Sequence, residues 1–180
     1  MWYRKLGRLG WEVSAISMGT VQFGMPYGFT YDGEAEVPSR NDAVRLLLDA
    51  FEAGINLLDT APTYGAAETI VGEALRQWRG SEIFVATKIP TWGKDPALEV
   101  NQSLRRLGRE SIDLLQIYSH SDDWDAVLRS LEVALRCLEE GKTRALGISV
   151  YDESIALKAL DLQRIDTIQL PFNILDQRMA

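Results

Sequence analysis

The sequence is poor in the residues that staple a protein or bind metal. It holds one cysteine, Cys137, and one histidine, His120. A lone cysteine closes no internal disulfide, so a reducing cytoplasm is the expected compartment. A lone histidine gives no multi-histidine metal site, and no metal is expected. No stretch approaches the roughly 20 apolar residues of a membrane span, and no basic-then-apolar leader is expected at the start. Positive charge is scarce as well: 19 Lys+Arg stand against 26 Asp+Glu, a net of −7. That balance argues against nucleic acid or an anionic membrane as a partner. Linkers, charge blocks and low-complexity segments are also missing, so residues 1–180 read as one domain.

What is present is a rhythm. Tyr3 to Leu6 and Trp11 to Ser14 flank a Gly7–Gly10 turn and read as a hairpin. An apolar run follows over 15–19, then a loop over 24–39 rich in glycine and proline and holding Tyr27, Phe29 and Tyr31. Helical periodicity over 41–53, 67–78, 96–107, 125–140 and 154–160 alternates with short apolar runs at 55–61, 82–89, 112–118, 145–150 and 165–171. Strands that are apolar throughout and separated by helices belong to a parallel sheet buried on both faces. The fold class is α/β. A doubly wound mononucleotide fold would want a Gly-rich turn after its first strand, and 15–24 contains neither GxGxxG nor GxxxxGK[ST]. Cys137, between Leu135 and Leu138 on an apolar helix face, reads as an inert core thiol.

Polar residues favour the barrel alternative. Each strand ends in one or more: Thr20; Asp59 and Thr60; Thr87 and Lys88; Tyr118, Ser119 and His120; Ser149; Gln169 and Asn173. In a (β/α)₈ barrel these ends converge on one mouth. Thr, Ser and Asp also occur wherever strands leave a core, but Lys88 inside Val85–Pro90 does not fit that account, because an unpaired buried ammonium is costly. Asp59 can hold Lys88 charged, and Lys88 can draw the nearby Tyr64 phenol toward ionisation, which makes a general acid of the three.

Gly54-Ile55-Asn56-Leu57-Leu58-Asp59-Thr60-Ala61 with Tyr64-Gly65 resembles the strongest signature of the aldo-keto reductases. Val71-Gly72-Glu73-Ala74-Leu75, Ala86-Thr87-Lys88, Ile112–Ile117, Leu146–Val150 and Ile168–Asn173 resemble later motifs of that family in the same order. The resemblance implies an NAD(P)H-dependent reduction of an aldehyde or ketone on a (β/α)₈ TIM-barrel-type fold, here incomplete, with about six of eight βα units behind an N-terminal β-hairpin. Tyr64 would donate the proton and Asp59 and Lys88 would tune it. Gly19, Thr20, Asp59, Ser149 and Gln169 would line the nicotinamide side, with NADPH expected and NADH left open. The family histidine falls five residues after Asp113, at Tyr118, so either the strand end bulges to bring in His120 or Tyr118 takes the pocket. Where the family commonly has asparagine after the strand-five serine, Val150 stands here. The last two strands, whose loops grip the cofactor phosphates, are not represented. Weak cofactor binding by these residues alone and self-association through uncovered barrel edges are therefore expected. A non-catalytic module of the same fold, or an inactive fragment, are the alternatives. The aromatics Tyr27, Phe29, Tyr31 and Trp92 either line an aromatic-friendly pocket or pack their loops.

Overall fold

The computed structural model describes residues 1–28, 33, 35–93 and 95–179. β1 (Tyr3–Leu6) and β2 (Trp11–Ser14) form the expected antiparallel hairpin across a short 3₁₀ turn. Six parallel strands follow: β3 (Met18–Gly19), β4 (Leu57–Asp59), β5 (Phe84–Pro90), β6 (Ile112–Ser119), β7 (Thr143–Val150) and β8 (Thr167–Gln169). Helices α1 (Arg40–Glu52), α2 (Ala67–Gln77), α3 (Pro96–Leu107), α4 (Trp124–Glu139) and α5 (Glu153–Leu160) make the crossovers after β3. In the sheet the strands stand in chain order, each beside its predecessor. A doubly wound sheet reverses that order at its switch point. Unbroken order is what a closing barrel requires, and here it forms a half-barrel.

Local chemistry sets the helix starts. Ser39, Asp95, Asp123 and Asp152 each accept a backbone N–H in the first turn of α1, α3, α4 and α5. α2 has no such cap and begins directly from the turn at Tyr64, where the Ala67 amide bonds the Tyr64 carbonyl at 3.0 Å. Among the described residues no helix is long and apolar enough to cross a membrane.

The strands alternate between two environments, as a period of two demands. Val85, Ile89, Leu115, Ile117, Leu146 and Ile148 point outward into one apolar layer shared with the helices, where Cys137 is also buried. Each such side chain, fully withdrawn from water, stabilises by about 1.5–3 kcal/mol. Ala86, Leu114 and Ala145 point inward and meet Leu9 and Trp11 of the hairpin, which plugs the lower end. Trp11 stacks on Phe84 at 5.0 Å, and the Arg144 guanidinium lies 4.9 Å from the Trp11 ring.

The sheet is strongly curved. β4 and β8 are separated by three strands, which in a flat sheet would put them about 19 Å apart. Yet the Gln169 amide donates to Asp59 Oδ1 at 3.3 Å, across the interior. At the lower end Arg8 bonds Asp166 at 2.7 Å and the carbonyls of Gln163 and Ile165, tying the hairpin to the segment before β8.

Candidate active site

The upper end of this curve gathers the polar strand ends. Lys88 faces inward because Val85, Thr87 and Ile89 face outward, and only 2% of its side chain is exposed. Its ammonium donates to both oxygens of Asp59, at 2.8 and 2.7 Å, and to the Thr60 carbonyl at 2.9 Å. All three N–H donors are thereby used, which makes a buried charge tolerable. Burial still outweighs Asp59 and pulls the Lys88 pKa below its ordinary value. Asp59 is held from behind: the Thr20 amide and hydroxyl both donate to its backbone carbonyl at 3.0 Å, and Gly19 pairs with it in register.

Tyr64 sits in the turn between β4 and α2. Its placement depends on two glycines in backbone-to-backbone contact. A side chain on Gly24 would strike the Tyr64 carbonyl, and one on Gly65, which has φ +55°, would strike the Gly24 carbonyl. The Lys88 ammonium lies 5.1 Å from the Tyr64 ring centroid and 5.8 Å from that of Tyr118. Around it is a cavity of about 200 Å³, whose polar walls are Asp59, Tyr64, Lys88, Tyr118, Ser149, Tyr151 and Gln169, with Val150, Leu170 and Pro171 as its apolar side. A strand-end aspartate, a buried lysine and a loop tyrosine thus share one cavity at the mouth of a curved parallel sheet.

The aldo/keto reductase family model matches residues 15–180. The chain belongs to that family. It is 30% identical to the aldo-keto reductase YhdN of Bacillus subtilis over 99% of this chain and 56% of that protein. It is 29% identical to the NADH-specific methylglyoxal reductase of Escherichia coli, over 97% of this chain and 60% of the relative. Among solved structures, the aldo-keto reductase AKR11C1 of Bacillus halodurans in its holo form superposes with a TM-score of 0.79 at 30% identity, covering 99% of this chain and 60% of the other. The chain therefore spans a little over half the length of these curated relatives.

In this aldo/keto reductase chain the expected site residues divide by place. Asp59, Tyr64, Lys88, Ser149 and Gln169 line the cavity; Gly19 and Thr20 support Asp59 from outside it. His120 is exposed and does not line the cavity. β6 keeps unbroken register with β7 through Tyr118↔Ser149 and Ser119↔Val150, so no bulge swings His120 inward. Tyr118 enters instead, only 7% exposed. The His120 ring packs behind it at 4.6 Å and stacks on Tyr151 at 4.8 Å. Trp92 lies against Tyr118 and His120 rather than across the cavity. Phe29 and Tyr31 lie outside the described residues.

The tuning of Tyr64 is a correction to the sequence argument. Burial first, and then Asp59, push its phenol above the ordinary value of 10.0, where Lys88 was expected to pull it down. The ammonium lies 5.1 Å from the ring centroid, and its three N–H donors are taken by Asp59 and Thr60. Two other residues escaped the sequence reading. Gln116 is buried beside Lys88 in register, and its amide approaches Gln169 Oε1 at 3.4 Å while its own Oε1 has no partner among the described residues. Its signal was a polar residue inside an apolar strand, the same signal that exposed Lys88. Tyr151, just past β7, carried no comparable signal.

Proposed function

We propose that this chain bears the proton-transfer machinery of a nicotinamide-dependent oxidoreductase that reduces a small aldehyde or ketone to an alcohol, with Tyr64 as the proton donor. The observation that carries the reading is Lys88. An ammonium buried beneath a tyrosine ring and saturated by Asp59 is expensive to keep, and a merely structural sheet has no use for it.

The cavity rim fits the nicotinamide end of the cofactor by its donor set. A ring carboxamide needs an acceptor for its N–H groups and a donor for its oxygen, and Ser149 and Gln169 offer both from adjacent strands. When bound, the nicotinamide supplies the hydride that goes to the carbonyl carbon. Tyr64 O–H supplies the proton to the carbonyl oxygen. Its raised pKa does not hinder this, since an alkoxide is a far stronger base than any phenolate. Lys88, 5.1 Å from the ring, stabilises the phenolate left behind, and Asp59 keeps Lys88 charged. Thr20 keeps Asp59 in place. The name of the Escherichia coli relative supports a small carbonyl substrate and keeps NADH beside NADPH. A lone buried thiol suits a cytoplasmic setting.

The test is reduction of a small aldehyde followed by NADPH or NADH absorbance. Tyr64→Phe is expected to lower kcat by about 10²–10⁴-fold, the usual worth of a positioned general acid. A variant as active as the parent overturns the proposal.

A further inference from the structure

We propose that Gln116 is a positioning residue: from inside the sheet it holds the Gln169 amide in the orientation that reads the carboxamide of a nicotinamide ring. The inference rests on the nicotinamide reading above and adds what fixes one of its recognition groups.

Gln116 is costly where it stands. It lies on the inner face of β6, in register with Lys88 on one side and Gly147 on the other, and is only 3% exposed. Its Oε1 has no hydrogen-bond partner among the described residues. A buried oxygen left in that state destabilises, and an apolar side chain of the same shape would avoid the penalty. It is not one of the residues that line the cavity. The hydrogen bond its side chain does make is to Gln169, whose Oε1 accepts from Gln116 Nε2 at 3.4 Å.

That bond skips a strand. Gln169 belongs to β8, and β7 lies between. The way across is open because the β7 residue in register with Gln116 is Gly147. A Cβ there would come within 3.0 Å of Gln116 Cγ and would strike Thr167 Oγ1 on the far side.

Gln169 needs the hold. It is exposed, on a three-residue strand at the edge of the sheet, where a glutamine keeps most of its rotamer freedom. Its amide is gripped from both ends. Oε1 faces Gln116, and Nε2 donates at 3.3 Å to Asp59 Oδ1, which also accepts from Lys88. Both bonds are long, so neither alone would fix the group. Together they set its plane and its sense. The second N–H of Nε2 and the second lone pair of Oε1 stay available. They form the donor and acceptor pair that a primary carboxamide complements.

The test compares the parent with Gln116→Met, which keeps the length of the side chain and removes its amide. Dissociation constants are read by tryptophan fluorescence for NADH and for its 3-acetylpyridine analogue, in which a methyl group replaces the carboxamide nitrogen. The parent should favour NADH about tenfold, and Gln116→Met should bring the ratio within about twofold by weakening NADH alone. KM for NADH should rise about tenfold with kcat within about twofold. An unchanged ratio overturns the proposal, whether both constants rise together, as a purely structural role predicts, or neither moves. A second measurement needs no cofactor. The ¹⁵N–¹H order parameter of the Gln169 side-chain amide, identified by its loss in Gln169→Ala, should drop below about 0.6 in Gln116→Met, into the flexible range. Equal order in parent and variant overturns the hold by Gln116 and leaves the nicotinamide reading standing. A drop in order with no binding of NADH by the parent supports the hold and overturns the nicotinamide reading.

Discussion

The two faces of β5, β6 and β7 are built to different rules. Outward, the apolar side chains Val85, Ile89, Leu115, Ile117, Leu146 and Ile148 are fully buried. The polar group among them is paired in full: Glu68 receives Thr87 at 2.6 Å, Ser103 at 3.1 Å and Arg106 at 2.6 Å. Inward, the same strands carry Ala86, Leu114 and Ala145, then Lys88, Gln116 and Gly147, then Tyr118 and Ser149. Here an oxygen is left over: Gln116 Oε1 lacks a partner among the described residues, as do Thr167 Oγ1 on β8 and Thr60 Oγ1 just past β4. Complete satisfaction on one face and spare capacity on the other indicate where the chain invests in stability and where in chemistry. One strand serves both because alternate residues never share a face.

The contrast breaks most directly at Leu115. Leu115→Ala should cost about 3 kcal/mol in urea denaturation, within the usual range for a buried leucine. It should leave the tyrosine titration of the cavity unchanged, and a shifted Tyr64 midpoint would mean the two faces are not separable. A change of similar size inward should do much less. Gln116→Leu removes a buried oxygen that has no partner among the described residues, so stability should stay within about 1 kcal/mol of the parent. If it falls as far as in Leu115→Ala, the inner face is a packing core after all. The finest effect is with pH. The Tyr64 pKa is raised on folding, so its contribution to stability is complete below the unfolded value of 10.0 and is lost as pH climbs beyond it toward the folded value. The urea midpoint should therefore fall more above pH 10 in the parent than in Tyr64→Phe, and equal falls would remove the phenol from the account.

Much of the outer face was legible in the residues. Asp95 as cap, Pro96 in the first turn and Gly108 in the left-handed region bound α3 at both ends predicted for it. The strand at 55–61 proved shorter, as β4, because Ile55 caps the preceding helix and the Asn56 side chain bridges Glu12 and Ser14 of the hairpin. β8 is shorter than 165–171 for a similar reason: the Asp166 carboxylate serves the Leu146 amide, and Pro171 has no N–H to give. The inner face was legible where polar strand ends converge on one mouth, which brought Lys88 together with Asp59. It was not legible where contacts depend on how far the sheet curls. The meeting of Gln169 with Asp59, the choice of Tyr118 over His120 and the upward shift of Tyr64 all follow from curvature, register and burial, and no local pattern encodes those.

The bond from Gln169 to Asp59 has a consequence for the order of events during folding. It joins residues 110 apart in the chain, and the Arg8–Asp166 tie joins residues 158 apart. Contacts of such separation carry the largest loop-closure penalty and are expected late, after neighbouring βα units have zipped along the sheet. The cavity is therefore among the last features to form. A chain that has paired β4 to β7 but not yet docked β8 holds Lys88 against Asp59 with no Gln169 across from it, so a finished cavity is evidence of a finished fold.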